Sequence, residues 1–242
     1  LIAAAVATVA STAAMADVTI GGKVEQTFTW TDSTTAATDE MLGGTDAFLT
    51  FKGSEDLGNG MSAFADIRMD LDGAAGALDT FDTKVGIKGG FGTVVAGRME
   101  DFSESKVLSM VDVFSGQGVE LGDNNATRSD NGFAYVSPSF NGLTIGVAGY
   151  ALDSNGTAAN LGTEVAVAGV DDINDVDATD IALMYANGPL SVNVAREVTK
   201  DSNAATSNDE EITSFGIGYT MGSLKVAAVY QDIDNAALAA TD

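Results

Sequence analysis

The sequence predicts an all-β protein, a transmembrane antiparallel β-barrel, and three observations carry this prediction. Runs of roughly ten residues alternate apolar and polar side chains, as expected of strands with one oily and one wet face. Short turns join these runs in pairs, whereas long polar segments separate the pairs. After residue 16, no run approaches the 18 consecutive apolar residues of a transmembrane helix.

Composition removes several classes of function. The 242 residues include 35 Asp+Glu against 11 Lys+Arg, for a formal net charge of −24, so we expect no nucleic-acid partner. The chain contains neither His nor Cys, which excludes Ser-His-Asp triads, thiolate nucleophiles and His or Cys metal ligands. Catalysis by carboxylates alone and carboxylate-bound Ca²⁺ or Mg²⁺ stay open.

The first 16 residues, "LIAAAVATVASTAAMA", have the character of a secretion signal. They are uncharged, small and apolar, and they end in a small-x-small pattern at Ala14 and Ala16. The run is too short to span a bilayer as a helix. The sequence therefore predicts part of a signal peptide, cleaved after Ala16, with a mature barrel domain over residues 17–242.

The first strands follow directly. "VTIGGKVEQTFTW" is the first, and "TDAFLTFKG" and "MSAFADIRMDL" meet at a Gly-rich turn over residues 54–60. In the third run the odd positions are apolar, while Asp66, Arg68 and Asp70 occupy even positions. "TKVGIKG" and "GTVVAGRM" then meet at the turn Gly-Gly-Phe-Gly, residues 89–92. These runs predict strands one to five.

Three further hairpins follow a long connection. They are "GFAYVSPSF" with "LTIGVAGYAL", "DIALMYA" with "LSVNVAREV", and "EITSFGIGYT" with "SLKVAAVYQ". Long polar segments lie at residues 32–44, 153–179 and 199–209. This makes eleven strands, but single-chain bacterial barrels have even numbers and tolerate no open edge in lipid. We therefore expect the barrel to be truncated at the C-terminus of this chain.

The connection over residues 99–128 is longer than an ordinary loop. It reads "EDFSESKVLSMVDVFSGQGVELGDNN" after Met99, and "SESKVLSMVDVF" within it favours a short helix. Its acids outnumber its single lysine, Lys106. From the residues alone, it is either an acidic surface loop or a functional loop.

Three stretches resemble the general trimeric porins of Gram-negative outer membranes. "FKGSEDLGNGMSAFADI" is similar to that family's second hairpin, "VGIKGGFGTVVAGR" to its fourth and fifth strands, and "RSDNGFAYVSPSFNGLTIGVAGY" to its sixth and seventh. The resemblance implies a 16-stranded barrel that reaches the outer membrane through the periplasm. It also implies a homotrimer, surrounded by lipid and lipopolysaccharide, that passes small hydrophilic solutes and ions passively. It implies no enzymatic activity and no cofactor.

In that family, the connection corresponding to residues 99–128 folds into the lumen as an acidic constriction loop facing a basic wall. The resemblance implies that this loop supplies the acidic side of the constriction: Asp101, Glu104, Asp112, Glu120 and Asp123. For the basic wall, motif position implies two residues and strand alternation adds two more: Lys23 and Arg128, then Arg68 and Arg98.

Departures from the family pattern bear on selectivity. Two positions that often hold Arg in relatives are aligned with Phe48 and Phe81 here, and "DVFSGQG" replaces the loop's Pro-Glu-Phe-Gly-Gly signature. Because the basic side is thinned while the acidic side is kept, we expect a preference for cations.

Two other classes compete with the channel. A secreted acidic β-sandwich or adhesin-type binding protein alternates similarly but buries its Val, Ile and Phe side chains. An outer-membrane hydrolase would need a catalytic set made of carboxylates. The acidic run "DDINDVD", residues 171–177, lacks the spacing of an EF-hand, so we predict no metal site there beyond weak Ca²⁺ at a solvated external loop.

Overall fold

A computed structural model describes residues 17–31, 40–71, 79–111, 128–151, 176, 178–200 and 209–235. Within these ranges the strands form one antiparallel sheet in which each pairs with its neighbours along the chain. They are β1 Asp17–Thr31, β2 Glu40–Gly58, β3 Met61–Asp70, β4 Asp79–Gly89, β5 Gly92–Glu100, β6 Arg128–Val136, β7 Leu143–Ala151, β8 Ala178–Asn187, β9 Leu190–Thr199, β10 Glu210–Met221 and β11 Leu224–Asn235.

This topology confirms the antiparallel all-β prediction with eleven strands, while the count of sixteen stays a prediction. Some boundaries differ. β2 begins at Glu40, inside the polar segment expected over residues 32–44, and ends at Gly58, inside the turn expected over residues 54–60. β8 begins at Ala178, inside the polar segment expected over residues 153–179. Residues 1–16 and Asp171 to Asp175 lie outside the described part. None of the helical turns in the described part has the length and hydropathy needed to cross a membrane.

The tight turns have the residues that their backbone requires. Asn59-Gly60 and Asn141-Gly142 each have positive φ at both central turn positions, with values of 54° and 73°, and of 52° and 91°, and Gly58 before the first turn is also at 78°. Two positive φ angles define the type I′ turn, whose twist matches that of the strands it joins. Asn and Gly tolerate this conformation, so they fix the register of the β2–β3 and β6–β7 hairpins.

The register separates the sheet into an apolar face and a polar face, since directly paired residues share a face. The apolar face exposes large side chains: Val24 is 78% exposed and Tyr230 is 65% exposed. Apolar residues of β1, β3, β4, β9 and β11 share this face: Ile20, Val24, Phe28, Ile67, Met69, Ile87, Val192, Val226 and Tyr230.

The polar face has the opposite parity and carries charged and amide side chains. Lys23, Glu25, Asp66, Arg68 and Asn193 all lie on it. A β-sandwich would bury its large apolar side chains between two sheets. The described strands instead form one sheet whose large apolar side chains are exposed, which argues against the sandwich and adhesin alternative.

A short helical segment, residues 101–111, packs on the polar face. The expected short helix is present, but not as a regular α-helix. It consists of a wider π-helical turn, Ser103–Val107, followed by a tighter 3₁₀ turn, Leu108–Met110. Its Phe102 and Val107 join a buried cluster with side chains from β5 to β9: Met99, Ala134, Ala148, Tyr150, Ala178, Ala182 and Ala195.

Glycines make room for this segment. A Cβ atom on Gly146 of β7 would lie 2.7 Å from Phe102 Cζ, and one on Gly216 of β10 would lie 2.7 Å from Met110 Sδ. Real Cβ atoms do not approach so closely, so a side chain at either position would displace the segment. The small residues of β6 to β10 therefore form the floor on which the segment lies.

The two faces can be tested with adjacent residues of β2. Leu49 lies on the apolar face and Thr50 on the polar face. Because the chain has no cysteine, Leu49→Cys and Thr50→Cys each accept a single spin label. In lipid vesicles we expect oxygen to relax the label at 49 more strongly and an aqueous nickel chelate to relax the label at 50 more strongly. Equal access of the chelate to both labels would contradict the two-faced sheet.

The floor can be tested with a glycine pair. We expect Gly146→Ala to destabilise the folded barrel by about 1–3 kcal/mol, because the new methyl group overpacks against the buried Phe102 ring. Gly53→Ala on β2 is the matched control, since a Cβ there meets nothing within 4 Å. Urea unfolding, with proteolysis of residues 101–111 as a second measurement, checks this. Equal stability of the two variants would show that the segment does not rest on Gly146.

Candidate functional site

Hydrogen bonds fasten the helical segment to the polar face at four strands. Asn193 Nδ2 of β9 donates to the Lys106 carbonyl at 2.6 Å. The Ser103 and Ser214 hydroxyls share a short hydrogen bond, and both accept from Gln231 Nε2. The backbone N–H of Phe102 donates to the carboxylate of Asp180 on β8. In addition to side-chain packing, these hydrogen bonds hold the segment on β8 to β11.

The segment also caps its own first turn. Asp101 Oδ1 accepts a hydrogen bond from the backbone N–H of Glu104 at 2.7 Å, and the Asp101 carbonyl accepts from the Ser105 hydroxyl at 2.6 Å. A carboxylate in this position satisfies a donor at the start of a helix and complements the helix dipole. The irregular helix is therefore stabilised at the end that meets the sheet.

The structure describes two of the five acids predicted for the constriction. Asp101 is only 1% exposed, so it lies against the sheet beneath the segment and does not line open space. Its role in the turn and its contact with β8 explain this difference from the expectation. Glu104 is half-buried on the segment. The other three lie outside the described residues: Asp112, Glu120 and Asp123.

Two of the predicted basic-wall residues lie on the polar face, each with carboxylate partners. Lys23 Nζ forms ion pairs with Glu25 at 2.7 Å and with Asp46 at 2.9 Å. Arg68 Nε lies 3.4 Å from Asp70 Oδ1. Arg128 begins β6, but its side chain lies outside the described part. The positive charge of this wall is thus locally compensated wherever it is described.

Arg98 is the exception to the predicted parity. It pairs with Thr83 and follows Val94 and Ala96 at intervals of two, and these residues lie on the apolar face. The prediction from strand alternation that Arg98 lies on the polar face was therefore wrong. A bulge on the β5–β6 ladder and the positive φ of Gly97 mark this end of the strand, where Arg98 Nε donates to the Phe81 carbonyl at 3.1 Å.

Arg68 is held by the two phenylalanines that stand where relatives often carry Arg. Its guanidinium carbon lies 4.2 Å from the Phe48 ring centroid and 3.8 Å from the Phe81 ring centroid. A bulge on the β3–β4 ladder leaves Phe81 between the residues paired with Arg68 and Met69. Stacking of this kind is worth roughly 0.5–2 kcal/mol per ring and fixes the orientation of the charge.

Sequence reasoning did not single out Asp180 or Glu197. Both are buried on the polar face beside Asp101. Strand alternation gives them the correct parity, but the alanines around them resemble an ordinary strand, so only their burial under the segment distinguishes them.

Burial also lowers the pKa of Lys106 on the segment, so this lysine loses its proton at a lower pH than an exposed lysine.

Comparisons with known proteins match the whole of the described sheet. The family model described as "Gram-negative porin" matches residues 3–242. Outer membrane porin protein 32 of Delftia acidovorans is 29% identical over 247 residues, which cover 92% of this chain and 66% of that protein. The chain spans about half to two thirds of the length of the curated relatives it matches.

Solved structures agree in fold. An anion-selective porin from Comamonas acidovorans has a TM-score of 0.67 at 22% identity, with 92% of this chain and 70% of that chain covered. The trimer form of OmpT, an outer membrane protein of Vibrio cholerae, has a TM-score of 0.61 at 14% identity, with 92% and 67% covered. Both the sequence match and the shared sheet lead to one assignment: the chain belongs to the Gram-negative porin family, whose members are channels and not enzymes.

Proposed function

We propose that this chain forms the first strands of a water-filled channel in the outer membrane, through which small hydrophilic solutes and ions diffuse passively. The observation that carries the proposal is the inverted sheet: large apolar side chains are exposed along one face, while the other face holds the charges and the helical segment. Only lipid or an apolar neighbour suits the first face, and only water suits the second.

We further propose that residues 99–128 narrow this channel. In support, residues 101–111 lie on the polar face, fastened to four strands of the sheet. Material on that face reduces the cross-section available to water and solutes. The remainder of the connection lies outside the described residues, so its path is part of the proposal.

Channel formation and narrowing can be measured together. Full-length protein added to a planar bilayer should produce discrete conductance steps. Deleting residues 114–121 should raise the step size, because less chain would occupy the lumen. The deleted protein must still migrate as a folded barrel in unheated gels. A folded deletion variant with unchanged conductance would place the segment outside the conducting path.

Selectivity depends on the charges of the polar face. On β1 to β4, ion pairs join four basic groups to five carboxylates: Lys23 with Glu25 and Asp46, Lys52 with Asp66, Arg68 with Asp70, and Lys84 with Asp82. The basic groups are thus outnumbered where they are described. Arg68 is further enclosed by two phenyl rings, which limits the approach of an anion to its charge.

We propose on this basis that the channel favours cations. One solved structure with this fold is described as anion-selective, but the fold does not determine selectivity, which follows the charges around the narrowest region. The acids of residues 99–128 and the compensated basic groups both support a negative potential inside the channel. The net charge of −24 adds to this potential at the channel mouths.

The zero-current potential across a bilayer under a KCl gradient tests this preference. We expect the sign for potassium selectivity, and a larger value in dilute salt, because the screening length is about 30 Å at 0.01 M and about 3 Å at 1 M.

A matched pair of variants gives the test a direction. Lys23→Gln leaves Glu25 and Asp46 uncompensated and should increase the potassium preference, whereas Asp46→Asn removes a carboxylate from the same cluster and should reduce it. A chloride-selective sign at low salt in the unmodified protein would overturn the proposal. Identical potentials for the two variants would show that this cluster does not face the conducting path.

We also propose a homotrimer with lipid and lipopolysaccharide around it. The trimeric form of a structural neighbour supports this, as does the exposed apolar face, part of which a neighbouring subunit could cover. Light scattering of the purified full-length protein, corrected for detergent, should give three chains per particle. A particle of one chain that still conducts would contradict the trimer and leave the channel proposal intact.

A further inference from the structure

Three buried carboxylates meet where the helical segment joins the sheet. Asp101 begins the segment, Asp180 lies on β8 and Glu197 lies on β9, with exposures of 1%, 3% and 2%. Asp180 and Glu197 are direct partners in the antiparallel register. One carboxylate oxygen from each residue lies within 4.8 Å of the other two. The three residues therefore converge on one small buried volume.

A second observation is an unsatisfied oxygen on Asp180. Phe102 N–H donates to Asp180 Oδ2, but Asp180 Oδ1 has no hydrogen-bond partner among the described residues and is closed to solvent. Buried carboxylate oxygens almost always have a partner, because leaving one desolvated and unbonded is costly. This unsatisfied oxygen, on a side chain 97% buried, is an observation separate from the clustering of the acids.

The donor set indicates the kind of ligand. The three side chains offer oxygen atoms only, which suits hard divalent cations such as Ca²⁺ and Mg²⁺. Calcium binds oxygen at about 2.3–2.6 Å, so ligands on opposite sides of the ion lie about 4.6–5.2 Å apart. For Mg²⁺ the corresponding separation is about 4.0–4.2 Å. Separations of up to 4.8 Å are compatible with either ion, but calcium suits three carboxylates fixed by the fold better, because its coordination is flexible whereas Mg²⁺ demands an octahedral shell and gives up its waters reluctantly.

We propose that Asp101, Asp180 and Glu197 form a calcium site that fastens the start of the helical segment to β8 and β9. The bound ion would take up the oxygen of Asp180 that has no hydrogen-bond partner, together with one oxygen from each of the other two side chains. Water or backbone carbonyl oxygens would complete the coordination. None of its three carboxylates belongs to the acidic run at residues 171–177.

The site should link calcium to the mechanics of the segment. Asp101 and Asp180 already hold the segment's first turn through the N–H groups of Glu104 and Phe102. An ion shared by the two carboxylates would brace this junction against both strands. Removing calcium should therefore increase proteolysis within residues 101–111 of the folded protein.

Direct binding of radiolabelled Ca²⁺ tests the site in purified full-length protein freed of divalent ions by chelation. We expect one tight site per chain in the unmodified protein. Asp180→Asn and Glu197→Gln should each weaken it by about 10-fold or more, since even indirect supports of metal sites often contribute that much. Glu55→Gln, at an exposed residue of β2, is the control and should bind as the unmodified protein does.

Terbium luminescence gives a second measurement that does not require a variant to fold. Tyr150 is 1% exposed on β7, where it pairs with Ala178, two residues from Asp180. A tyrosine this close should transfer excitation to Tb³⁺ bound at the cluster. We expect tyrosine-sensitised emission that Ca²⁺ displaces, and Tyr150→Phe should reduce this emission while radiolabelled Ca²⁺ still binds.

Two results would overturn the proposal. If the unmodified protein has no tight Ca²⁺ site and no displaceable terbium emission, the carboxylates are balanced by protons or by a basic side chain. If Asp180→Asn and Glu197→Gln fold and bind Ca²⁺ as the unmodified protein does, the bound ion lies elsewhere. Neither measurement involves conduction, so failure here is distinguishable from failure of the proposed channel.

Discussion

The two-residue period of the strand is the constraint on which the rest of this structure depends. Each strand can present its apolar side chains to only one face, and here the register assigns that face consistently across all described strands. A slip of one residue anywhere would exchange the two faces. The Asn-Gly turns at residues 59–60 and 141–142 therefore do more than reverse the chain, because they fix which face each strand shows.

Because the large apolar side chains lie on the apolar face, small and polar residues remain for the polar face. Gly146, Ala182 and Gly216 contribute almost no volume, and this absence creates the floor for the helical segment. The segment then buries Val107 completely and closes over acids that would otherwise be hydrated. In a soluble β-protein the core would occupy this space. Here residues 101–111 occupy part of that space, and the large apolar side chains are exposed on the apolar face where a soluble protein would pack them in a core.

Electrostatics on the polar face differ between the two halves of the described sheet. On β1 to β4 the charges are half-exposed and arranged as ion pairs, which contribute little stability individually. They instead set the local potential. On β8 and β9 the carboxylates are buried, where a charge is costly unless it is paired. In the proposed channel the first group would bear on which ions pass, whereas the second bears on how the segment is held.

Much of the fold was readable from the sequence, because alternation and turn residues act locally. The eleven strands, their hairpin pairing and the faces of Ile67 and Asp66 follow from the period of two and from Gly and Asn at the turns. The side of Arg98 did not follow, because the flanking small residues gave no clear parity near the bulge.

The site was less predictable, because it depends on which distant residues meet. The sequence by itself determined a two-faced antiparallel sheet of this family and an acidic connection after β5. Only the tertiary structure decided that Asp101 is buried beside Asp180 and Glu197, and that Phe48 and Phe81 enclose Arg68. Those contacts join residues far apart in the chain through strand register and bulges, and the local periodicity of a sequence contains no information about which strand lies opposite a given side chain.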